Sequence, residues 1–159
     1  MKKRILFVCL GNICRSPAAE SVFLNLLKEK GLQNEYYVDS AGTGGWHVGS
    51  HADERMRNAA TKRGIAIESR SRQINSQDFD SFDLILTMDN ENLAAVTSLS
   101  REFGCSSKAS IMPILNYARK TKLIEVPDPY YGGENGFEKV LDLLEDACDG
   151  LLEDLSLQD

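Results

Sequence analysis

Apolar and polar positions along the chain change period several times, and each change marks an expected element. A short unbroken apolar run over 5–8 reads as a strand buried on both faces. The spacing then becomes helical over 17–30, where Ala18, Val22, Leu26 and Leu27 share one stripe and Gly31 stops the helix. A short second strand is expected over 36–40, followed by a glycine-rich loop over 41–49 that carries one large aromatic, Trp46. Residues 52–63 form a helical pattern closed by Gly64. Residues 69–78 read as connection with a short helical turn. A strand over 82–86 precedes Asp89, which can cap a helix running to Leu99. Residues 111–115 give a fourth strand or its approach, and 121–136 is mostly loop. Over 137–155 the pattern is an amphipathic helix, with Val140, Leu141, Leu144, Cys148, Leu151 and Leu155 facing inward.

Strands alternating with helices imply crossover units and an α/β fold. The expectation is one domain over 1–159, built on a doubly wound, four-stranded parallel sheet with helices on both faces. Ligands in such folds bind beyond the carboxyl ends of the strands. The segment following the first strand is Val8-Cys9-Leu10-Gly11-Asn12-Ile13-Cys14-Arg15-Ser16-Pro17. A strand-loop-helix of this kind points its backbone N–H groups into one small space suited to a tetrahedral oxyanion. A helix N-terminus and a cationic neighbour also favour the thiolate of a cysteine at the floor of that space. Five residues separate Cys9 from Arg15, enough to curl into a nearly closed ring of donors, Leu10 to Arg15, around one phosphate. Arg15 can reach back over the ring with a fork that matches two phosphate oxygens. Gly11 and Asn12 tolerate left-handed backbone. Ser16 can donate to the Cys9 sulfur, and Pro17 suits a first helical turn.

Composition narrows the classes. A hydrophobic fraction of 42% and a charged fraction of 26% are ordinary for a globular domain. The net charge of −6 argues against a nucleic-acid partner, and no apolar run is long enough for a membrane span. The first ten residues faintly mimic a signal peptide, but the run is short and enters Gly11-Asn12 without a small-residue cleavage site, so a buried strand is the reading. Four irregularly spaced cysteines (9, 14, 105 and 148) point to a reducing, cytoplasmic compartment rather than a disulfide framework. Cys14 is either packing or a resolving thiol that forms a reversible disulfide with Cys9. No further residues stand at metal spacing around these two, so no metal is expected. The chain has neither the glycine-lysine loop of nucleoside triphosphate binders nor the three-glycine dinucleotide fingerprint.

The chain resembles the low-molecular-weight protein tyrosine phosphatases over nearly its whole length. The resemblance rests on the 8–17 segment and on Asp128-Pro129-Tyr130-Tyr131 near the C-terminus. Asp39-Ser40-Ala41-Gly42, Trp46, Arg72-Gln73-Ile74 and Met88-Asp89 fall between them in the family's order. It implies an enzyme that needs no cofactor and hydrolyses phosphotyrosine proteins or small aryl phosphates through a cysteinyl-phosphate. Cys9 would be nucleophile, Arg15 the phosphate clamp and Asp128 the general acid and base, with Leu10, Gly11, Asn12, Ile13, Cys14 and Ser16 around the phosphate. Trp46, Tyr130 and Tyr131 would wall a slot for an aromatic ring, while Asn12, Ser40 and Asp89 support the loop. Many relatives place a histidine shortly before Arg-Gln-Ile; this chain has Ser69-Arg70-Ser71, so a supporting contact is expected to differ. His47 and His51 read as surface residues. A monomer is expected, with Tyr130 and Tyr131 able to be masked in a weak dimer. Two other readings stand beside this one. A related family uses the same loop to reduce arsenate, but needs relay thiols that Met88-Asp89, Cys105 and Cys148 do not supply. The other is a phosphotyrosine-binding module without turnover, against which intact Cys9, Arg15 and Asp128 argue.

Overall fold

The computed structural model describes residues 2–103, 108–131, 133 and 135–158. Four strands, β1 (Lys3–Cys9), β2 (Tyr36–Gly42), β3 (Leu84–Thr87) and β4 (Ser110–Pro113), form one parallel sheet in the order β2-β1-β3-β4. Five helices connect or follow them: α1 (Arg15–Glu29), α2 (Glu54–Thr61), α3 (Ser76–Ser81), α4 (Asn90–Glu102) and α5 (Gly136–Leu157). Short 3-10 turns occupy Ile114–Tyr117 and Pro129–Tyr131.

Successive side chains of β1 point to opposite faces, as the period of a strand requires. Ile5, Phe7 and Cys9 join the core formed with α1, α2 and α5, whereas Leu6 and Val8 join the second core, with Phe79 of α3 and Val96 of α4. That division is the doubly wound arrangement read from the sequence. The larger core is pinned by edge-on aromatic contacts, Phe7 to Phe23 and Phe23 to Tyr36, at 6.0 and 5.9 Å between ring centres. Such pairs contribute about 0.5–1.5 kcal/mol beyond area burial. All six residues expected on the inner face of the last helix are buried.

The differences from the sequence reading lie at element ends. Phe82 belongs to the end of α3, so β3 begins later, at Leu84. Asn75 closes a capping box with Asp78 and starts α3, which carries the short helical turn expected within 69–78 on to Ser81. Pro113 ends β4, and the chain turns into a 3-10 helix. Asp53 caps α2 and Asp89 caps α4, the latter as expected. After β1 the chain winds to one side to make β2; β3 then lies on the other side of β1. The loops that follow β1 and β3 therefore meet at the point where strand order reverses, the crevice where such sheets take ligands.

Candidate active site

A cavity of about 320 Å³ opens at that crevice, lined by Cys9, Leu10, Gly11, Ile13, Cys14, Arg15, Trp46, His47, Asp128 and Tyr130. Cys9 is the last residue of β1 and is buried. Its sulfur receives the Asn12 N–H at 3.3 Å and lies 3.0 Å from the Ser16 hydroxyl.

The loop from 10 to 14 owes its shape to where its carbonyls go. Cys9 O accepts from Thr43 N–H and Leu10 O from Gly44 N–H, both at 2.9 Å. Gly11 O accepts from the Ser71 hydroxyl at 3.0 Å, and Ile13 O from Asp53 N–H at 2.8 Å. Carbonyl and N–H of one peptide plane point in opposite directions. Anchoring the carbonyls outward therefore turns the following amides toward the sulfur, as Asn12 N–H does. Gly42 makes the arrangement fit: a Cβ there would stand 2.8 Å from Leu10 O.

Asn12 holds the tightest point of the loop, with φ at +56°, a left-handed conformation that Asn tolerates better than most residues. Its carboxamide lies beneath the loop rather than in the cavity. Oδ1 accepts from Arg72 N–H at 2.9 Å, while Nδ2 donates to Ser16 Oγ at 2.7 Å and to Ser40 Oγ at 3.0 Å. Ser40 donates in turn to Glu20 Oε1 at 2.6 Å. Ser16 and Ser40 are buried, so both act from below the loop, and neither lines the cavity.

Arg15 opens α1 and is held from the far side. Its Nη1 donates to Asp89 Oδ2 at 2.7 Å and to Val126 O at 3.0 Å. Asp89 thus caps α4 through Oδ1 and anchors Arg15 through Oδ2. Asp128 reaches the cavity from the turn before Pro129, where Tyr130 N–H donates to its Oδ1 at 3.0 Å. Tyr130 and Trp46 are exposed at the mouth. Arg55 stacks on the Tyr130 ring, its guanidinium carbon 4.8 Å from the ring centre. The Tyr131 side chain and Cys105 lie outside the described residues. Burial, reinforced by the charge of Asp53, pushes the Cys14 thiol up to about 12, so it stays protonated at neutral pH beside Cys9.

Four contributors were not legible in the sequence. Ser71, Arg72 and Asp53 hold the loop through single bonds from segments far along the chain. His47 is a surface residue, as read, yet it also lines the cavity and packs on Gly11. The contact in question near Ser69 is supplied by its neighbours Ser71 and Arg72. Among the described residues, no cluster of His, Cys, Asp or Glu could hold a metal ion, and no helix is long and apolar enough to cross a membrane.

Residues 4–159 match the family described as low molecular weight phosphotyrosine protein phosphatase. A low molecular weight protein-tyrosine-phosphatase of Bacillus subtilis is 42% identical over 149 residues, covering 93% of this chain and 92% of that one. The crystal structure of a protein tyrosine phosphatase from Entamoeba histolytica superposes with a TM-score of 0.91, at 44% identity over 99% of each chain. A Drosophila structure described as an arginine phosphatase superposes at 0.90, with 33% identity over 98% of each chain. By family match, sequence identity and superposition alike, the chain belongs to the low molecular weight phosphotyrosine protein phosphatases, enzymes that hydrolyse phosphoric monoesters.

Proposed function

We propose that the whole chain, acting as one catalytic domain, hydrolyses phosphotyrosine in proteins and small aryl phosphates through a cysteinyl-phosphate. The Cys9 thiolate attacks phosphorus in line. The bond from phosphorus to the phenolic oxygen breaks, and Asp128 gives its proton to the departing oxygen. Arg15 and the loop amides hold the equatorial oxygens, the kind of preorganised electrostatic stabilisation that usually dominates. Asp128, now ionised, takes a proton from water as that water attacks the thiophosphate. The sulfur leaves as a thiolate that Ser16 receives with a hydrogen bond.

One observation carries this reading: the Cys9 sulfur is met by the Asn12 N–H and the Ser16 hydroxyl at the floor of a cavity shared with Arg15 and Asp128. The exposed rings of Trp46 and Tyr130 at the mouth favour a flat aryl substrate. The neighbouring thiol of Cys14 supports a second role, reversible disulfide formation with Cys9 under oxidant. A reducing compartment and a monomeric state complete the proposal.

The test is turnover by wild type and Cys9→Ser on aryl phosphate, phosphotyrosine peptide and phosphoarginine peptide. A parallel arm adds arsenate with thioredoxin. Wild type should hydrolyse the first two and trap phosphate on Cys9 after rapid quenching, whereas Cys9→Ser binds phosphate without turnover. Preference for phosphoarginine, thioredoxin-dependent arsenate reduction, binding without turnover, or an active Cys9→Ser would each overturn the reading.

A further inference from the structure

Glu20 is the one acidic side chain of α1 that the fold buries. It lies one helical turn beyond Ser16 and outside the cavity. Among the described residues no ion pair holds it; the Ser40 hydroxyl donates to it at 2.6 Å, and the Ser69 side chain stands close enough to favour its charged form. Arg72, the cation that biases it, is committed to Asp39 and Asp78. Burying a carboxyl costs free energy unless hydrogen bonds compensate.

Donor counting shows what the carboxyl does from there. An ionised carboxylate accepts and cannot donate. Ser40 must therefore point its single hydrogen at Glu20, and its oxygen is left to accept from Asn12 Nδ2 at 3.0 Å. The Asn12 carboxamide is then locked in one orientation, with Arg72 N–H on its Oδ1. Its second N–H meets Ser16 Oγ at 2.7 Å, so Ser16 is an acceptor there. Ser16 keeps one hydrogen to give and has two acceptors in reach, Cys9 Sγ at 3.0 Å and Ala41 O at 3.4 Å. The nearer of them is the sulfur.

We infer that Glu20 is a positioning residue for the Cys9 thiolate, setting the direction of the hydrogen-bond chain Ser40–Asn12–Ser16 so that it ends in a donor aimed at sulfur. The inference rests on the thiolate reading above and extends it to a side chain that touches neither substrate nor sulfur. Without an acceptor at position 20, the Ser40 hydroxyl can turn and donate to Asn12. The carboxamide can then rotate its oxygen toward Ser16, and Ser16 spends its hydrogen there instead of on Cys9.

The experiment compares wild type, Glu20→Ala, Glu20→Gln, Ser40→Ala and the double variant Glu20→Ala/Ser40→Ala. Each is assayed for kcat and KM on an aryl phosphate, and for the pH midpoint of Cys9 alkylation by iodoacetamide. Circular dichroism and melting temperature report folding. Glu20→Ala should lower kcat about tenfold and raise the alkylation midpoint by about one pH unit, the same free energy seen twice. KM should change little. Glu20→Gln keeps an acceptor oxygen for Ser40 and should restore most of both quantities. Ser40→Ala should reproduce the loss, and the double variant should be no worse than Ser40→Ala, because the two residues act in series.

If Glu20→Ala lowers only the melting temperature and leaves the midpoint at the wild-type value, the inference is overturned. Glu20→Gln as impaired as Glu20→Ala, or additive losses in the double variant, would overturn it as well. A wild-type Cys9 that alkylates only in the ordinary thiol range would instead refute the thiolate reading itself, so the two failures are distinguishable.

Discussion

Asp89 holds two unrelated structures with its two carboxylate oxygens, and substituting it should separate them. Oδ1 accepts from Asn92 N–H at 2.8 Å and caps α4; Oδ2 accepts from Arg15 at 2.7 Å. Losing an N-cap costs about 1 kcal/mol. Breaking a fully buried ion pair from one side costs about 3–5 kcal/mol. Here the Arg15 side chain is only 5% exposed, but that of Asp89 is 19% exposed and Arg15 keeps Val126 O as an acceptor. The pair should therefore fall below that range, at about 2–3 kcal/mol. Asp89→Ala loses both contributions, about 3–4 kcal/mol. Asn is as good an N-cap as Asp, so Asp89→Asn loses only the pair, about 2–3 kcal/mol. Urea unfolding at neutral pH, with slopes compared to confirm two-state behaviour, measures both variants. Asp89→Asn as stable as wild type would show that Arg15 does not depend on this partner. Equal losses in the two variants would show that the cap contributes nothing.

Other outcomes are expected elsewhere. Asp128→Ala should lower kcat by about 10²–10⁴-fold on phenolic leaving groups; the loss should shrink as the leaving group becomes more acidic, and a uniform loss across a leaving-group series would contradict the acid role. Asn12→Ala should be less stable than Asn12→Gly by about 1 kcal/mol, because only glycine relieves the left-handed backbone at +56°; chemical denaturation of the pair checks it, and equal stabilities would argue against strain there. Burial raises the Glu20 carboxyl above its ordinary value of 4.5, against the hydrogen bond from Ser40. A raised folded value means that the favourable contribution is complete below the unfolded value and lost as pH rises through the folded one. Glu20→Gln should accordingly melt higher than wild type at neutral pH, with the gap closing as pH falls toward 4.5; melting curves across pH measure it, and a gap that widens on acidification would refute the sign.

Much of this molecule can be read from residue pattern because its chemistry is local. Cys9, Arg15 and Ser16 lie on one strand-loop-helix, so their mutual placement follows from the elements that carry them. The two-sided burial of β1 follows likewise from an unbroken apolar run. Asp89 as a helix cap is a short-range fact, and it was legible. Its second task, supporting the loop, came only from the resemblance, and that its partner is Arg15, 74 positions away, was not legible. The same holds for Ser71, Arg72 and Asp53, each of which grips the loop by one hydrogen bond from a distant segment. A serine hydroxyl or a backbone N–H looks the same in sequence whether it faces solvent or a carbonyl. Glu20 left one faint mark, an acid within a helix turn otherwise made of small and apolar residues, but its partner Ser40 sits 20 positions away. The ends of β3 and α3 shifted because Phe82 suits either element, and the capping box at Asn75 decides between them.

The distance along the chain between Arg15 and its carbonyl acceptor Val126, 111 positions, has a consequence during biosynthesis. A ribosome delivers Cys9 and Arg15 early and the partners of Arg15, Asp89 and Val126, late. At about 5–20 residues per second, roughly 5–20 s pass between the emergence of the loop and that of the segment bearing Val126 and Asp128. Through most of that interval Arg15 lacks its carbonyl acceptor and the cavity lacks Asp128, although the outward anchors of the loop, Thr43, Gly44, Asp53 and Ser71, have already emerged. The cavity is therefore complete only when the last quarter of the protein docks.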